Sequence, residues 1–232
     1  MINEQIKRIK DLMLIREQVD TNLASYLDST YLKTPEQAGI GEEETDTIVF
    51  NTIQDAIEHN MKLVMLRPEY VDTARQFIDS KGANVLVGTV VGFPNGDNSH
   101  GEKMDEALRA IQNGVDELDF VVDYKAFKNG DLDKVMKEEG KSVKWIIESA
   151  ALNNEEISEL TSLISKIVIE TVGEESAKNV FVKTSTGFYK SSDGGPVGAT
   201  PEAVSIMKSN SGPLQVKASG GIYSVEDAEK MI

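Results

Sequence analysis

Short apolar runs recur along the chain, each followed by a stretch of helical periodicity, and this alternation restricts the fold more than any other feature. Lys62-Leu63-Val64-Met65-Leu66, stopped by Arg67-Pro68, reads as a strand, as do Val85 to Val91, Val115 to Asp123 and Lys144 to Ala150. Between them Val49, Ile53 and Ile57 fall at helical spacing, then Tyr70, Val71, Ala74, Phe77 and Ile78, then Met104, Ala107, Leu108 and Ile111. Near-continuous apolar strands alternating with amphipathic helices are the pattern of a parallel sheet covered by helices.

The same rhythm runs from end to end. Ile2, Ile6, Ile9 and Met13 predict an opening amphipathic helix, and Ala24 to Thr30 a short strand. A turn at Thr34-Pro35 and an acidic helix start at Glu42-Glu43-Glu44 follow. A brief helix with Leu132, Val135 and Met136 precedes the strand at Lys144, and Asn154 to Glu170, with Ile157, Leu160, Ile164 and Ile167, predicts a longer one. Strands at Asn179 to Lys183 and Leu214 to Lys217 follow, with Pro201 opening the helix between them and Ser224, spaced from Asp227 as in a capping box, starting a last helix.

Seven strand and helix pairs in 232 residues suit a single α/β domain spanning 1–232. The expected fold is a TIM (β/α)8 barrel with an extra N-terminal helix and, since no eighth strand is legible before Ile232, with its eighth βα unit missing. The alternative is an open doubly wound sheet, against which no glycine-rich dinucleotide fingerprint follows the first strand.

Two of these strands end in a lysine. Asn179-Val180-Phe181-Val182-Lys183 runs into Thr184-Ser185-Thr186-Gly187-Phe188, and Leu214-Gln215-Val216-Lys217 runs into Ala218-Ser219-Gly220-Gly221. An ammonium taken out of water is costly unless it is paired or loses its proton. Either lysine alone reads as a side chain snorkelling from a strand end into water. Two facing one another disfavour each other's charge, and one then supplies the free amine that a Schiff-base nucleophile requires. The strand Val115 to Asp123 carries acids inside an apolar run, and alternation puts Glu117, Asp119, Val121 and Asp123 on one face. Asp116 and Glu117 read as the solvated mouth of that strand; Asp119 is the candidate partner for the lysines.

Composition excludes other chemistries. With no cysteine there is no disulfide, thiolate metal site or thiol nucleophile, and His59 and His100, the only histidines, lack partners at metal-ligand spacing. A formal net charge of -15 without a basic cluster argues against nucleic-acid and anionic-membrane surfaces. Met1 to Tyr26 is charged throughout, unlike a signal peptide, and no apolar run approaches spanning length, so a cytoplasmic location is expected.

At this point the residues resemble a known family, the bacterial 2-deoxyribose-5-phosphate aldolases, class I aldolases with a TIM-barrel fold. Five segments between Tyr26 and Ile232 carry the resemblance: Leu27-Asp28-Ser29-Thr30-Tyr31-Leu32, Gly88 to Pro94, Asp116 to Val122, Val182 to Phe188 and Val216 to Ile222. The lysine-threonine-serine-threonine-glycine run is the most specific. The resemblance implies Lys183 as the Schiff-base lysine, Lys217 as the second lysine that perturbs it, Asp119 as the acid of the proton relay and Asp28 as a supporting polar residue. Thr186, Gly187, Ser219, Gly220 and Gly221 would hold the substrate and its phosphate, which in such barrels sits on loop backbone N–H groups. The implied substrate is 2-deoxyribose 5-phosphate, the implied products acetaldehyde and glyceraldehyde 3-phosphate, and no metal or organic cofactor is implied.

Two departures are visible. Tyr223 stands where the family commonly has an arginine, and the glycine-serine phosphate loop of an eighth strand is not found. They keep two alternatives in view: another Schiff-base barrel acting on a different aldehyde or ketone, or a non-catalytic incomplete barrel serving as a binding or assembly subunit. Open strand edges would invite pairing with another chain, a homodimer among the outcomes.

Overall fold

The computed structural model describes residues 24–131, 143–191, 194 and 197–231. The opening helix expected from Ile2 to Met13, the brief helix at Leu132 to Met136 and part of the loop after Ser191 lie outside these residues. Two compact units divide the chain: one runs to Gly88 and includes Asn113–Val115, and the other comprises Thr89–Gln112 and the chain from Asp116 onward.

The first unit contains β1 (Asp28–Tyr31), α1 (Glu42–Glu58), β2 (Leu63–Leu66), α2 (Val71–Lys81) and the start of β3 (Leu86–Val91). Strand β1 pairs parallel with β2, Asp28 opposite Leu63. The strand begins later than the sequence reading of Ala24 to Thr30. Ala24–Tyr26 is a 3-10 turn whose Ala24 carbonyl accepts both the Leu27 and the Lys62 N–H, and Tyr26 is exposed. The turn expected at Thr34-Pro35 is a single helical turn, Pro35–Ala38, in which Thr34 and Gln37 form a reciprocal capping box. Helix α1 starts on three acids as expected, and Thr45, Val49, Ile53 and Ala56 are its buried stripe, with Ile57 half-buried. In α2 the buried face is Val71, Ala74 and Ile78, while Phe77 meets Phe50 of α1 at 4.7 Å between ring centroids.

The second unit continues β3 and adds α3 (His100–Gln112), β4 (Glu117–Val121), α4 (Tyr124–Lys128), β5 (Val143–Ile146), α5 (Asn154–Val172), β6 (Phe181–Lys183), α6 (Pro201–Asn210), β7 (Gln215–Lys217) and α7 (Val225–Glu229). Its strands are ordered β3-β4-β5-β6-β7, and the registered pairs β4–β5, β5–β6 and β6–β7 are all parallel. Strand order that follows chain order, with a helix after every strand, is the winding of a TIM-type α/β fold. Seven strands are present among the described residues.

Helix α5 carries the capping box of this unit: Asn153 accepts the Glu156 N–H, and Glu156 accepts the Asn153 N–H. Its Leu160 and Ile164 are fully buried, and it packs against α6, whose Met207 is also buried; each such side chain contributes about 1.5–3 kcal/mol. Helix α3 differs from the sequence reading. Lys103, Ala107 and Ala110 are its buried residues, and Leu108 is exposed. The stripe is rotated because the Lys103 ammonium reaches the Val121 carbonyl at the end of β4, 2.9 Å away, satisfying a buried cation and a strand-end acceptor together. His59 and His100 both sit at helix ends and are exposed.

Candidate active site

Register sets the site. Asp119 on β4 lies opposite Lys144 on β5, Ile146 on β5 opposite Lys183 on β6, and Lys183 opposite Lys217 on β7. Residues in register on neighbouring parallel strands project to the same face, so Glu117, Asp119, Lys144, Lys183 and Lys217 share one side of the sheet. The other side is apolar, with Leu118 and Phe120 facing it beside Val143 and Trp145; the Phe120 and Trp145 rings lie 5.2 Å apart.

On the polar face the charges are paired. The Lys183 ammonium donates to Asp119 Oδ2 at 2.5 Å, and Lys144 donates to Asp119 Oδ1 at 3.3 Å and to Glu117 Oε2. Asp119 and Lys144 are completely buried, Glu117 and Lys183 nearly so, and Lys217 is half-buried. Two carboxylates and two ammoniums removed from water are tolerable only when paired in this way. The reading of Glu117 as solvated is therefore corrected: Lys144 reaches it across the sheet and replaces the water it loses. Lys144 itself went unrecognised, although a lysine inside Lys144-Trp145-Ile146-Ile147 is the same signal that singled out Lys183.

The loops after β6 and β7 are tied together. Thr184 accepts the Ser219 N–H at 3.0 Å and donates its hydroxyl to the Ser219 carbonyl at 3.1 Å. Ser219 Oγ donates to the Ser185 carbonyl at 2.6 Å and accepts the Ser185 N–H at 3.3 Å. Beyond them three glycines converge. A Cβ built on Gly198 would lie 2.4 Å from the Gly220 carbonyl carbon, and one on Gly220 would lie 3.5 Å from the Gly187 Cα. Gly187, Gly220 and Gly221 all have positive φ. Backbone amides packed this closely, with no side chains between them, are the type of surface that receives a phosphate.

Strand β5 stops at Ile146, short of the predicted Ala150, because Glu148 takes the left-handed conformation (φ 54°, ψ 61°) and a 3-10 turn, Ser149–Ala151, follows. Glu148 is buried, and its Oε2 accepts both the N–H of Thr186, at 3.2 Å, and the Thr186 hydroxyl. Burial pushes its carboxyl above the usual carboxylate range, against the smaller opposing effects of the Thr186 hydrogen bonds and the Lys183 charge. Asp28, the remaining residue singled out, belongs to the first unit, half-buried at the head of β1. Tyr223 is 91% exposed next to the start of α7.

A buried amine in contact with a carboxylate, with a second amine in register beside it and a cluster of backbone amides on the adjoining loops, is equipped for imine chemistry on a small phosphorylated carbonyl compound. No family model matches the chain. It is 39% identical over 220 residues to the deoxyribose-phosphate aldolase of Staphylococcus haemolyticus, covering 91% of this chain and 88% of that one. Among solved structures it resembles QR15, an aldolase, with a TM-score of 0.69 and 32% identity over 90% of this chain and 86% of that one. It also resembles the tetrameric deoxyribose phosphate aldolase of Aeropyrum pernix, with a TM-score of 0.67 and 27% identity over 91% and 83% of the two chains. The fold, the strand-end lysines and these similarities agree: the chain belongs to the deoxyribose-phosphate aldolase family.

Proposed function

We propose that this chain reversibly cleaves 2-deoxy-D-ribose 5-phosphate to acetaldehyde and D-glyceraldehyde 3-phosphate through a Schiff base on Lys183. The observation that carries the reading is the pairing of buried Lys183 with Asp119, with Lys217 in register beside it. Lys183 gives up a proton and its lone pair attacks the aldehyde carbon, C1, of the open-chain sugar. The carbinolamine loses water and leaves an iminium. A base takes the C3 hydroxyl proton, the C2–C3 bond breaks, and its electron pair flows into the iminium, giving an enamine and glyceraldehyde 3-phosphate. Protonation of C2 and hydrolysis then release acetaldehyde and restore the amine.

Asp119 serves the proton transfers, since it touches the Schiff-base nitrogen's own lysine and is held in place from its other oxygen by Lys144. Lys217, in register with Lys183 on the same face, serves as the second lysine of the site. Gly187, Gly220 and Gly221, with Thr186 and Ser219 shaping their loops, receive the phosphate. A homo-oligomer fits the tetrameric relative. Among the described residues no helix is long and apolar enough to cross a membrane. The cysteine-free sequence and the phosphorylated substrate support a cytoplasmic location.

The test is borohydride trapping with 2-deoxyribose 5-phosphate or acetaldehyde followed by peptide mapping. The expected adduct is on Lys183, absent in Lys183→Ala and weakened in Lys217→Ala. A cooperatively melting protein that gives no adduct would sink the reading.

A further inference from the structure

We infer that Glu148 is a positioning residue that fastens Thr186 and thereby fixes the Gly187 turn at the phosphate end of the site. The inference rests on the aldolase reading above and adds to it a residue with no role in the carbon-carbon chemistry.

Three observations carry it. The first is backbone geometry. Ile147 N–H donates to the Lys183 carbonyl at 3.0 Å and Ser149 N–H to the Thr184 carbonyl at 2.8 Å, so two residues advance on the β5 side against one on the β6 side. Glu148 is the extra residue of this bulge, and its positive φ is a conformation that side chains other than glycine's adopt only at a cost. Bulges of this kind re-aim a side chain, and here the side chain is turned onto the loop that follows Lys183.

The second is the chain of hydrogen bonds that begins at the carboxylate. Glu148 Oε2 takes the Thr186 N–H and hydroxyl, and the Thr186 oxygen in turn accepts the Phe188 N–H at 3.1 Å. That last bond spans Gly187, whose φ is 80°, so the shape of the glycine turn is set by the threonine and the threonine is set by Glu148. Phe188 is steadied further by its edge-on packing against Phe93, 5.1 Å between centroids.

The third is what the carboxylate does not do. Its Oε1 is buried and has no hydrogen-bond partner among the described residues. A buried carboxyl with one oxygen idle is a poor way to stabilise a fold, whereas it is a reasonable way to hold a loop.

The experiment compares kcat/KM for 2-deoxyribose 5-phosphate with kcat/KM for unphosphorylated 2-deoxyribose. In Glu148→Ala the ratio of the two should fall by about tenfold, the factor that loss of one charge-assisted hydrogen bond gives, with the change in KM for the phosphorylated sugar. Glu148→Gln, which keeps an acceptor oxygen, should restore most of the ratio. Thr186→Val removes the hydroxyl link of the same chain, both its bond to Glu148 and its bond from the Phe188 N–H, and should reproduce the fall; if Glu148→Ala does not melt cooperatively, this variant decides. An unchanged ratio, or equal losses on both sugars, overturns the inference. Borohydride trapping of acetaldehyde on Lys183 separates the two readings: a lost adduct in the unmodified protein is a failure of the aldolase assignment, while a retained adduct with an unchanged ratio is a failure of the role given to Glu148.

Discussion

Lys183 and Lys217 are register partners on the adjacent parallel strands β6 and β7, so their side chains leave the sheet on the same face. Lys183 is nearly buried and donates to Asp119 at 2.5 Å, whereas Lys217 is half-buried. Charge and nucleophilicity at this position can be separated. Lys183→Arg keeps a cation beside Asp119 but has no amine that condenses with an aldehyde. Its expected phenotype is complete loss of borohydride trapping and a fall in kcat on the order of 10³-fold or more. Substantial residual turnover with a normal adduct on another lysine would move the Schiff base elsewhere.

Lys144 sits between two carboxylates, and its removal would take a buried cation from both Glu117 and Asp119. Lys144→Met should therefore destabilise the protein by about 3–5 kcal/mol, as breaking a buried pair does. Glu117→Gln in the same chain removes one of the two buried charges that Lys144 served and should recover part of that loss. Urea unfolding of the two single variants and the double variant measures the coupling. Strictly additive effects would mean that Lys144 and Glu117 do not act as a pair.

How much of this was legible in the sequence differs by residue. Strand and helix alternation is a local pattern, and so the order of elements could be read directly. Lys183 and Asp119 were legible because a charge in an apolar strand requires a partner. Glu117 was misread because charges at strand mouths usually meet water, and only the register of β4 with β5 brings Lys144 to it. Glu148 was missed for a related reason: its left-handed backbone follows from a bulge against β6, a pairing between segments far apart in the chain. The rotation of α3 likewise depends on the Val121 carbonyl, which lies outside the helix.

The glycine junction gives a graded prediction. A methyl group on Gly187 would meet nothing within 4 Å, so Gly187→Ala encounters only the strain of its φ of 80°, about 1–2 kcal/mol. A methyl group on Gly198 would lie 2.4 Å from the Gly220 carbonyl carbon and 2.8 Å from the Gly221 nitrogen, both backbone atoms. Gly198→Ala must push the two loops apart and break the hydrogen bonds from Ala199 N–H to the Ser219 and Gly220 carbonyls. KM for 2-deoxyribose 5-phosphate should rise more in Gly198→Ala than in Gly187→Ala, by on the order of tenfold for each 1.4 kcal/mol of lost binding. The reverse order would mean that these loops do not form one phosphate surface.

The Glu148 carboxyl also makes stability depend on pH in a direction opposite to that of a salt-bridged acid. Burial is the largest influence on it and raises its pKa above the ordinary 4.5, more than the Thr186 hydrogen bonds and the Lys183 charge lower it. The folded chain therefore holds this proton more readily than the unfolded chain does. With more protons bound in the folded state, stability falls as pH rises. The contribution of this group is fully present below its unfolded pKa and is lost as pH climbs through the folded one. Glu148→Gln cannot titrate there, so the stability of the variant relative to the parent should increase with pH across that window. Paired urea melts from about pH 4.5 upward measure it. If the parent instead gains on the variant as pH rises, Thr186 and Lys183 outweigh burial and the carboxylate is held ionised.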